Sequence, residues 1–201
     1  METVPFTPVR VSYWFLVWLH LIHGFLFFIL SLTSYWLVGI PIRYTMGMMY
    51  AFEVVAVGTH YLGHTRLFSS WFRAHMIGHH TRDYPSHRFL QTQYVPASID
   101  NSIFYFPGSV IVAFWFAVEI QDFSIISIWL IFLMNMIPII LALIITDQLH
   151  QAYHVAGSRW EKVWGFDKLR SIHYWHHYGH CKRNYGISSF WLDFLIGTGL
   201  V

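Results

Sequence analysis

The chain has 201 residues, of which 56% are apolar, 20% are aromatic and only 11% are charged. Soluble domains are usually about 45–50% apolar and about 25% charged, so this composition, with a mean hydropathy of +0.46, favours an integral membrane protein. The net charge of +2 gives little support for nucleic-acid binding, and the single cysteine, Cys181, excludes an internal disulfide framework.

The N-terminal segment 1–11 contains one acid, one base and two prolines. It lacks the basic start and the small-residue cleavage site of a signal peptide. We therefore expect the first apolar stretch to remain in the mature protein. No repeat or low-complexity segment interrupts the chain, so residues 1–201 are predicted to form a single membrane-embedded domain.

Four apolar stretches approach the roughly 20 residues that a membrane-spanning helix needs. They are Ser12–Val38, Tyr44–Leu62, Ser102–Ile120 and Phe123–Ile145. The links within each pair, Gly39–Arg43 and Gln121–Asp122, are short and indicate two helical hairpins. The sequence therefore predicts an all-α integral membrane fold with four transmembrane helices. The polar segments 63–101 and 146–201 would form a helical cap on the side of the N-terminus.

The basic residues are distributed asymmetrically across this arrangement. Arg43 alone lies at a hairpin tip, and eleven of the twelve lie on the side of the cap. These eleven are Arg10, Arg66, Arg73, Arg82, Arg88, Arg159, Lys162, Lys168, Arg170, Lys182 and Arg183. An excess of Lys and Arg marks the cytoplasmic side of a membrane protein. The cap is therefore predicted to be cytoplasmic, on the endoplasmic reticulum of a eukaryote or the inner membrane of a bacterium.

Ten of the fourteen histidines fall into four short clusters on the cap or at its membrane boundary. The clusters read H-x-x-x-H (His60, His64), H-x-x-x-H-H (His75, His79, His80), H-x-x-x-H (His150, His154) and H-x-x-H-H (His173, His176, His177). Helix positions i, i+3 and i+4 share a face, and imidazole suits iron, zinc and copper. Ten ligands are too many for one ion and suit two, so the pattern predicts a buried two-metal centre.

Two of these clusters lie on helices that the sequence predicts within the cap. One helix covers Ser69–His80, and the other runs from Asp167 as its N-cap to Tyr178, with Gly179 ending it. His20 and His23 lie in the middle of the first span, where polar contacts between helices are the expected role. His87 and His180 lie close to clusters, and His180 is either a ligand or a donor beside the ligands.

A histidine that binds a metal usually needs an acceptor for its other ring N–H. Asp147 and Glu53 lie on the same helical faces as His150 and His60, and Asp193 and Asn184 are further candidates. An acid inside a span is costly and indicates function. Alternatively, Glu53 is a protonated acid bonded to a neighbouring helix, and Asp147 is a solvated charge at a helix end.

Several motifs in order resemble the fatty acid hydroxylase superfamily, which also contains the sterol desaturases. The resemblance covers about Thr59 to Thr198 and is strongest in HQAYH (150–154), HYWHH (173–177) and NYGISSFWLDFLIGT (184–198). HMIGHH (75–80) followed by VPAS (95–98) is similar to the fatty acid and sphingolipid 2-hydroxylases. The chain departs from many members by H-x-x-x-H-H in place of H-x-x-H-H, and from the 2-hydroxylases by Ile172, where these often carry a histidine. A fused haem-binding domain, which some 2-hydroxylases carry at the N-terminus, is not expected here.

The resemblance implies a membrane enzyme with two iron ions, bound by the ten clustered histidines, that uses O2 to oxidise a lipid. Zinc could replace iron in a purified sample. No G-x-G-x-x-G fingerprint is present, so a separate electron donor is implied, a b-type cytochrome or a ferredoxin with its reductase. The basic surface formed by Arg159, Lys162, Lys168, Arg170, Lys182 and Arg183 could bind an acidic donor. The positive-inside bias alone would explain it equally well.

The expected substrate is a fatty acyl or sphingolipid chain, which would be hydroxylated. A sterol acted on by a desaturase or methyl oxidase comes second and a carotenoid third. A membrane protein that binds or transports metal is the alternative outside the enzymes. A transporter would place its ligands near the middle of the bilayer rather than at one face.

Overall fold

A computed structural model describes residues 2–95, 102–119, 125–178 and 182–199. These residues are mostly helical, as the sequence predicts. The α-helices are α1 (Tyr13–Val38), α2 (Ile42–Gly63), α3 (Ser69–Phe72), α4 (Ser102–Glu119), α5 (Ile125–Tyr153), α6 (Phe166–His177) and α7 (Trp191–Leu195). A π-helix covers Arg73–Asp83, and single 3₁₀ turns cover Ser86–Arg88 and Arg159–Lys162. Two short strands, β1 (Thr3–Val4) and β2 (Leu90–Gln91), pair antiparallel.

Helices α1, α2 and α4 match the first three predicted spans to within two residues, whereas α5 continues eight residues past the predicted end of the fourth. The Ser12 hydroxyl accepts a hydrogen bond from the Phe15 N–H at 3.2 Å and begins α1. Gly39 ends α1 in the left-handed conformation (φ 73°), with its N–H on the Tyr35 carbonyl, a cap that favours glycine. The predicted first hairpin link therefore does turn the chain. The second link, Gln121–Asp122, lies outside the described residues.

The long helices pack side by side in the order α1, α2, α4, α5. Met48 and Phe52 of α2, Val112 and Ala113 of α4 and Ile139 of α5 belong to one buried apolar cluster. Helices α2 and α4 approach closely at Gly108, where an added Cβ would lie 2.5 Å from Val55 Cγ1. This packing makes the long helices a single bundle.

Two helices in the described part of the chain are long and apolar enough to cross a membrane. They are Tyr13–Leu37 and Ile131–Tyr153, and α4 adds a shorter apolar stretch, Phe106–Glu119. Large apolar side chains on these helices are exposed, including Trp18, Phe25 and Leu141. Extensive exposed apolar surface indicates contact with lipid or another protein. The membrane prediction is thus supported for two helices, and the four-span arrangement stays a prediction.

The N-terminal segment lies against the histidine-bearing part of the chain. Val4 pairs with Leu90, Phe6 packs on Tyr174 with ring centroids 5.3 Å apart, and the Val9 N–H donates to Ser171 Oγ. The N-terminus and both polar segments are thus together, as two hairpins would require.

Helix α6 begins at Phe166, so the prediction of Asp167 as its N-cap is wrong. Gly165 takes the cap position in the left-handed conformation (φ 79°). The reason is tertiary: a Cβ at Gly165 would lie 2.7 Å from the Phe15 ring of α1. Glycine satisfies both this close approach and the positive φ. The predicted stop of this helix, Gly179, lies outside the described residues.

Arg170 joins α6 to the end of α5. Its guanidinium donates to the carbonyls of Ala152 (2.8 Å) and Val155 (2.9 Å) and to the Glu161 carboxylate (2.7 Å). The last carbonyls of a helix lack partners within the helix, so Arg170 satisfies groups directly beside His154. Arg170 is 6% exposed. The prediction that Arg170 contributes to a basic surface is therefore wrong, because its charged group is buried and bonded within the fold.

We expect Arg170→Met to lower the free energy of unfolding by about 2–4 kcal/mol, since one buried and one partly buried carbonyl lose a charged donor. Thermal or denaturant unfolding in detergent micelles, followed by circular dichroism, measures the change. Arg159→Met is the control, because Arg159 is exposed and bonds only Gln148 among the described residues. Equal destabilisation by both changes would contradict the role assigned to Arg170.

Candidate metal centre

The ten clustered histidines converge into two groups of five. The first histidine group comprises His60, His64, His75, His80 and His176, and the second comprises His79, His150, His154, His173 and His177. One ring nitrogen from each member lies within 4.8 Å of those of the other members of its group. Nine of the ten side chains are buried, and His64 is half-buried. Each group could hold a metal ion.

Neighbouring histidines in the sequence divide between the two groups. His79 and His80 of the π-helix belong to different groups, as do His176 and His177 of α6. The groups adjoin, since the rings of His80 and His177 have centroids 4.1 Å apart. Adjacent residues of a helix point in different directions. Each H-H pair therefore contributes one ring to each group.

The π-helix explains how the H-x-x-x-H-H cluster serves both groups. On an α-helix His80 would lie about 140° around the axis from His75, and the two rings would diverge. Hydrogen bonds of the i→i+5 type wind this segment more loosely, as shown by the Tyr84 N–H on the His79 carbonyl at 2.8 Å. The Nε2 atoms of His75 and His80 then lie 3.1 Å apart. The predicted helix over Ser69–His80 therefore begins where expected but continues to Asp83, and only its first four residues are α-helical.

One nitrogen atom of the first group has more close nitrogen neighbours than hydrogen bonding can satisfy. His75 Nε2 lies 2.9 Å from His60 Nε2, 3.1 Å from His64 Nε2 and 3.1 Å from His80 Nε2. A ring nitrogen either donates one proton or accepts with one lone pair, so it cannot serve three partners. Nitrogens that share a metal ion at about 2.1 Å lie about 3.0–3.4 Å apart. The observed spacing fits shared metal ligation.

The second group also fits metal ligation, through one pair of nitrogens at ligand spacing and through buried nitrogens that lack hydrogen-bond partners. His173 Nε2 and His154 Nε2 are 3.2 Å apart. Both ring nitrogens of His79, which is 1% exposed, lack a hydrogen-bond partner among the described residues. Burying an unsatisfied polar group costs free energy. A metal ion would use one of these lone pairs and remove part of that cost.

Burial keeps the imidazoles neutral. It lowers the pKa of the cap histidines below the usual value, and positive charge on neighbouring rings would lower the pKa further. This holds for His64, His75, His79, His80, His154, His173 and His176. Burial lowers the pKa of His177 to about 3, although its bond to the Tyr84 carbonyl opposes the shift. Neutral imidazole is the form that binds metal, so the lone pairs are available at neutral pH.

Backbone carbonyls orient four of the rings. The Nδ1–H groups of His60, His154, His176 and His177 donate to the carbonyls of Tyr185 (2.5 Å), Phe89 (3.1 Å), Arg183 (2.6 Å) and Tyr84 (2.7 Å), respectively. A donating Nδ1 fixes the tautomer and leaves the Nε2 lone pair for a metal. Sequence reasoning missed these acceptors, because every residue has a carbonyl and only the fold selects four of them.

The side chains predicted as acceptors bond other groups. Asp147 accepts from the Gln151 amide at 2.8 Å, and Glu53 accepts from the Trp191 indole. Asn184 donates to the Ile172 carbonyl at 3.2 Å. Asp193 accepts from the Tyr185 and Gly186 N–H groups, both at 2.7 Å. His180 lies outside the described residues.

Asp193 and Asn184 nevertheless stabilise the candidate centre indirectly, through the backbone segment that bonds two of the histidines. Asp193, with no exposed surface, also accepts from the Thr198 hydroxyl at 2.8 Å. Asn184 adopts a positive φ of 55°, a conformation that Asn tolerates better than most residues. Both hold the segment 183–186, whose carbonyls accept from His60 and His176. The Asn-Tyr-Gly motif and the later Asp193 therefore act together to fix the backbone that orients two histidines of the first group.

We expect Asp193→Asn to weaken metal binding in the first group by about 10–100-fold, the range seen when outer hydrogen bonds of a metal site are lost. The amide keeps one acceptor oxygen, and its NH2 group faces the N–H of either Tyr185 or Gly186, which cannot accept. The segment that orients His60 and His176 is thereby loosened. Competition with a chelator measures the affinity of each group. The second group and the control Asp167→Asn should be unchanged, and equal weakening of both groups would contradict the assignment.

The other three described histidines lie outside the two groups. His23 Nδ1 bonds the Leu19 carbonyl of its own helix at 2.9 Å. The His20 ring packs against Trp191 of α7, with centroids 5.4 Å apart, and its Nδ1 has no hydrogen-bond partner among the described residues. His20 thus contacts another helix through its ring, and the predicted polar contact is not seen. His87 is exposed.

A cavity lies beside the first group. It is small, about 30 Å³, and lies between α2, α5 and the segment 185–192, partly open to the outside. Tyr185 lines this cavity, and its ring packs on His64, with centroids 5.2 Å apart. The cavity therefore reaches the wall of the metal centre.

Comparisons with models of protein families, with curated proteins and with solved structures found no match for this chain. A function for this chain must therefore be argued from the arrangement of the two histidine groups.

Proposed function

We propose that this chain is a membrane enzyme that oxidises a lipid with two metal ions held by the two histidine groups. The observation that carries the proposal is the pair of adjoining groups, each of five mostly buried imidazoles with nitrogens at ligand spacing. All-imidazole ligation is compatible with iron, zinc and copper. The sequence resemblance to the fatty acid hydroxylase superfamily favours iron, with which O2 could be activated to oxidise a C–H bond.

The residues of the chain would hold, orient and shield this centre. The ten rings supply the ligands, and the carbonyls of Tyr84, Phe89, Arg183 and Tyr185 fix four of them. The burial of nine rings excludes bulk water. No side chain needs to act as a nucleophile, because the reaction belongs to the metal centre.

We further propose that α1, α2, α4 and α5 are four spans in two hairpins, with the cap in the cytoplasm. Two helices of suitable length and composition support this, and so does the contact between the N-terminal segment and the cap. His60 and His150 lie near the cap ends of α2 and α5. The centre would then lie at the membrane boundary, where a lipid can enter from the bilayer.

The exposed apolar surface of the long helices and the sequence resemblance support a lipid substrate. The cavity beside Tyr185, with apolar walls that include Phe52, Val57 and Ile187, is too small to hold a lipid chain. A fatty acyl or sphingolipid chain is the first choice, a sterol the second and a carotenoid the third. Electrons would come from a separate b-type cytochrome or ferredoxin. Five basic residues remain available to bind it: Arg159, Lys162, Lys168, Lys182 and Arg183.

Lipid mass spectrometry of cells with and without this chain tests the proposal. A lipid that gains one oxygen indicates hydroxylation, and one that loses two hydrogens indicates desaturation. An expressed, metal-loaded chain that leaves the lipids unchanged but alters the metal content of the cell would instead favour metal binding or transport.

A further inference from the structure

The 65–73 segment exposes large apolar side chains although it lies outside the four long helices. It leads from the end of α2 through α3 to the start of the π-helix. Leu67 is 74% exposed and Phe68 is 44% exposed, and the Phe68 ring packs on Trp71 with centroids 5.2 Å apart. Apolar side chains grouped on a surface indicate a binding face. Neither histidine group contains these residues, so the face needs an explanation of its own.

Two exposed arginines lie at the ends of this apolar stretch. Arg66 lies near its start, with its Cζ 5.8 Å from the centroid of the Phe72 ring. Arg73 follows Phe72 as the first residue of the π-helix. The sequence contains no acid between Glu53 and Asp83, so no carboxylate close along the chain offsets this positive charge. The face of the 65–73 segment is therefore both apolar and basic.

The position of the segment places this face at the edge of the proposed membrane region. Helix α2, one of the four proposed spans, ends at Gly63, shortly before Leu67. The Thr65 N–H donates to the Leu62 carbonyl at 3.0 Å, so the chain turns at once instead of extending away from the helix end. Lipid head groups occupy the zone beyond the hydrocarbon core. Apolar side chains combined with Lys or Arg in that zone bind the membrane surface.

We propose that the 65–73 segment binds the membrane surface through anionic phospholipids. Leu67 and Phe68 insert between the lipids. Arg66 and Arg73 bind the anionic head groups. This contact rests on the proposed membrane topology, in which α2 is a span, and it is separate from the binding of a substrate at the metal centre.

The same contact would orient one edge of the metal centre. The 65–73 segment connects His64, which follows α2, to His75 of the π-helix, and both belong to the first histidine group. His64 is the one clustered ring that is half-buried. Binding of the segment would keep this ring, the least buried of the ten, next to the membrane surface from which a lipid would arrive.

A fluorescent probe at position 67 tests the insertion. Cys181→Ser removes the single cysteine, and Leu67→Cys in this background is labelled with nitrobenzoxadiazole. The metal-loaded full chain is placed in nanodiscs that contain phosphatidylcholine and phosphatidylglycerol with brominated acyl chains, which quench a probe inserted among them. The probe at position 67 should be quenched. The same probe at the exposed position 87 of the cap, introduced as His87→Cys, should not be.

Competition between phosphatidylglycerol and phosphatidylcholine with identical acyl chains tests the role of the arginines. Native mass spectrometry of the purified full chain measures which lipid is retained, and the wild type should prefer phosphatidylglycerol. A basic residue at an anionic membrane surface contributes about five-fold in affinity, so Arg66→Gln combined with Arg73→Gln should lower this preference by about 25-fold.

Arg88→Gln combined with Arg159→Gln is the matched control for this loss. It removes the same charge from two exposed positions of the cap, beside the buried Phe89 and the half-buried Trp160. Because these arginines do not adjoin the apolar face, their replacement should leave most of the preference intact. Metal content, measured for each variant, shows whether the fold is retained.

Two outcomes would overturn the inference. The first is a probe at position 67 that brominated lipids do not quench, which would mean that Leu67 faces water or another protein. The second is a preference for phosphatidylglycerol that Arg66→Gln with Arg73→Gln leaves unchanged or that the control lowers equally. Neither measurement needs turnover. A chain that passes both tests but never oxidises a lipid refutes only the proposed oxidation, whereas an active chain with an unquenched probe refutes only the membrane contact.

Discussion

Purified protein reconstituted with iron or zinc is expected to hold two metal ions per chain and to unfold at a markedly lower temperature once both are removed. Each group presents five imidazoles with nitrogens within 4.8 Å of one another. Without metal these rings keep buried lone pairs and crowded nitrogens. An ion at a thousand-fold excess over its dissociation constant stabilises the folded state by about 4 kcal/mol. Elemental analysis and thermal unfolding, before and after chelation, measure both effects.

Variants of one histidine group at a time test whether each group binds one of the two metal ions. The double change His150→Ala and His154→Ala should reduce the content to one ion per chain by removing two ligands of the second group. His60→Ala with His64→Ala should remove the other ion. His87→Ala is the matched control, because His87 is exposed and lies outside both groups. One ion or none in the wild-type chain would refute the two-metal centre.

His176→Ala and His150→Ala are each expected to reduce lipid oxidation by more than about a hundred-fold. Residues that only orient metal ligands typically cost about 10–100-fold, and these two rings are proposed as ligands of different groups. His176 is also the one member of the first group that α6 supplies. The oxidised lipid formed per chain in expressing cells, quantified by mass spectrometry, measures the loss.

The same cells provide the controls for this loss. His87→Ala should retain wild-type oxidation, and Asp193→Asn should fall between the control and the ligand variants. Protein level and membrane insertion must match the wild type in each case. Full activity in both His176→Ala and His150→Ala would refute their assignment as ligands, whatever the metal content.

The spacing of the histidines was the strongest signal in the sequence. The i, i+3 and i+4 intervals on helices identified the same ten rings that the fold brings together, because local helix geometry alone determines which side chains share a face. Hydropathy likewise located the four long helices to within a few residues, except that α5 continues to Tyr153. This extension carries His150 into the second histidine group, and His154 follows directly after the helix end.

The local sequence pattern did not determine how the ten histidine rings divide between the two groups. An α-helical reading of His75, His79 and His80 turns His80 away from His75, and the π-helix that corrects this gives no sign in the composition of the segment. Nor did it identify the acceptors behind the rings. Carboxylates were the expected hydrogen-bond partners of the histidines, yet four histidines donate to backbone carbonyls instead. Asp193 acts indirectly, by holding the segment that carries two of these carbonyls.

The sequence by itself thus determined which side chains form the centre and on which helices they lie, since both depend on interactions between residues a few positions apart. Only the tertiary structure decided which five rings form each group, which carbonyls orient them and that Arg170 is buried. It also placed Glu53 beside the cavity with Trp191, a residue 138 positions away. Such contacts depend on how distant segments pack, and periodicity carries no information about that packing.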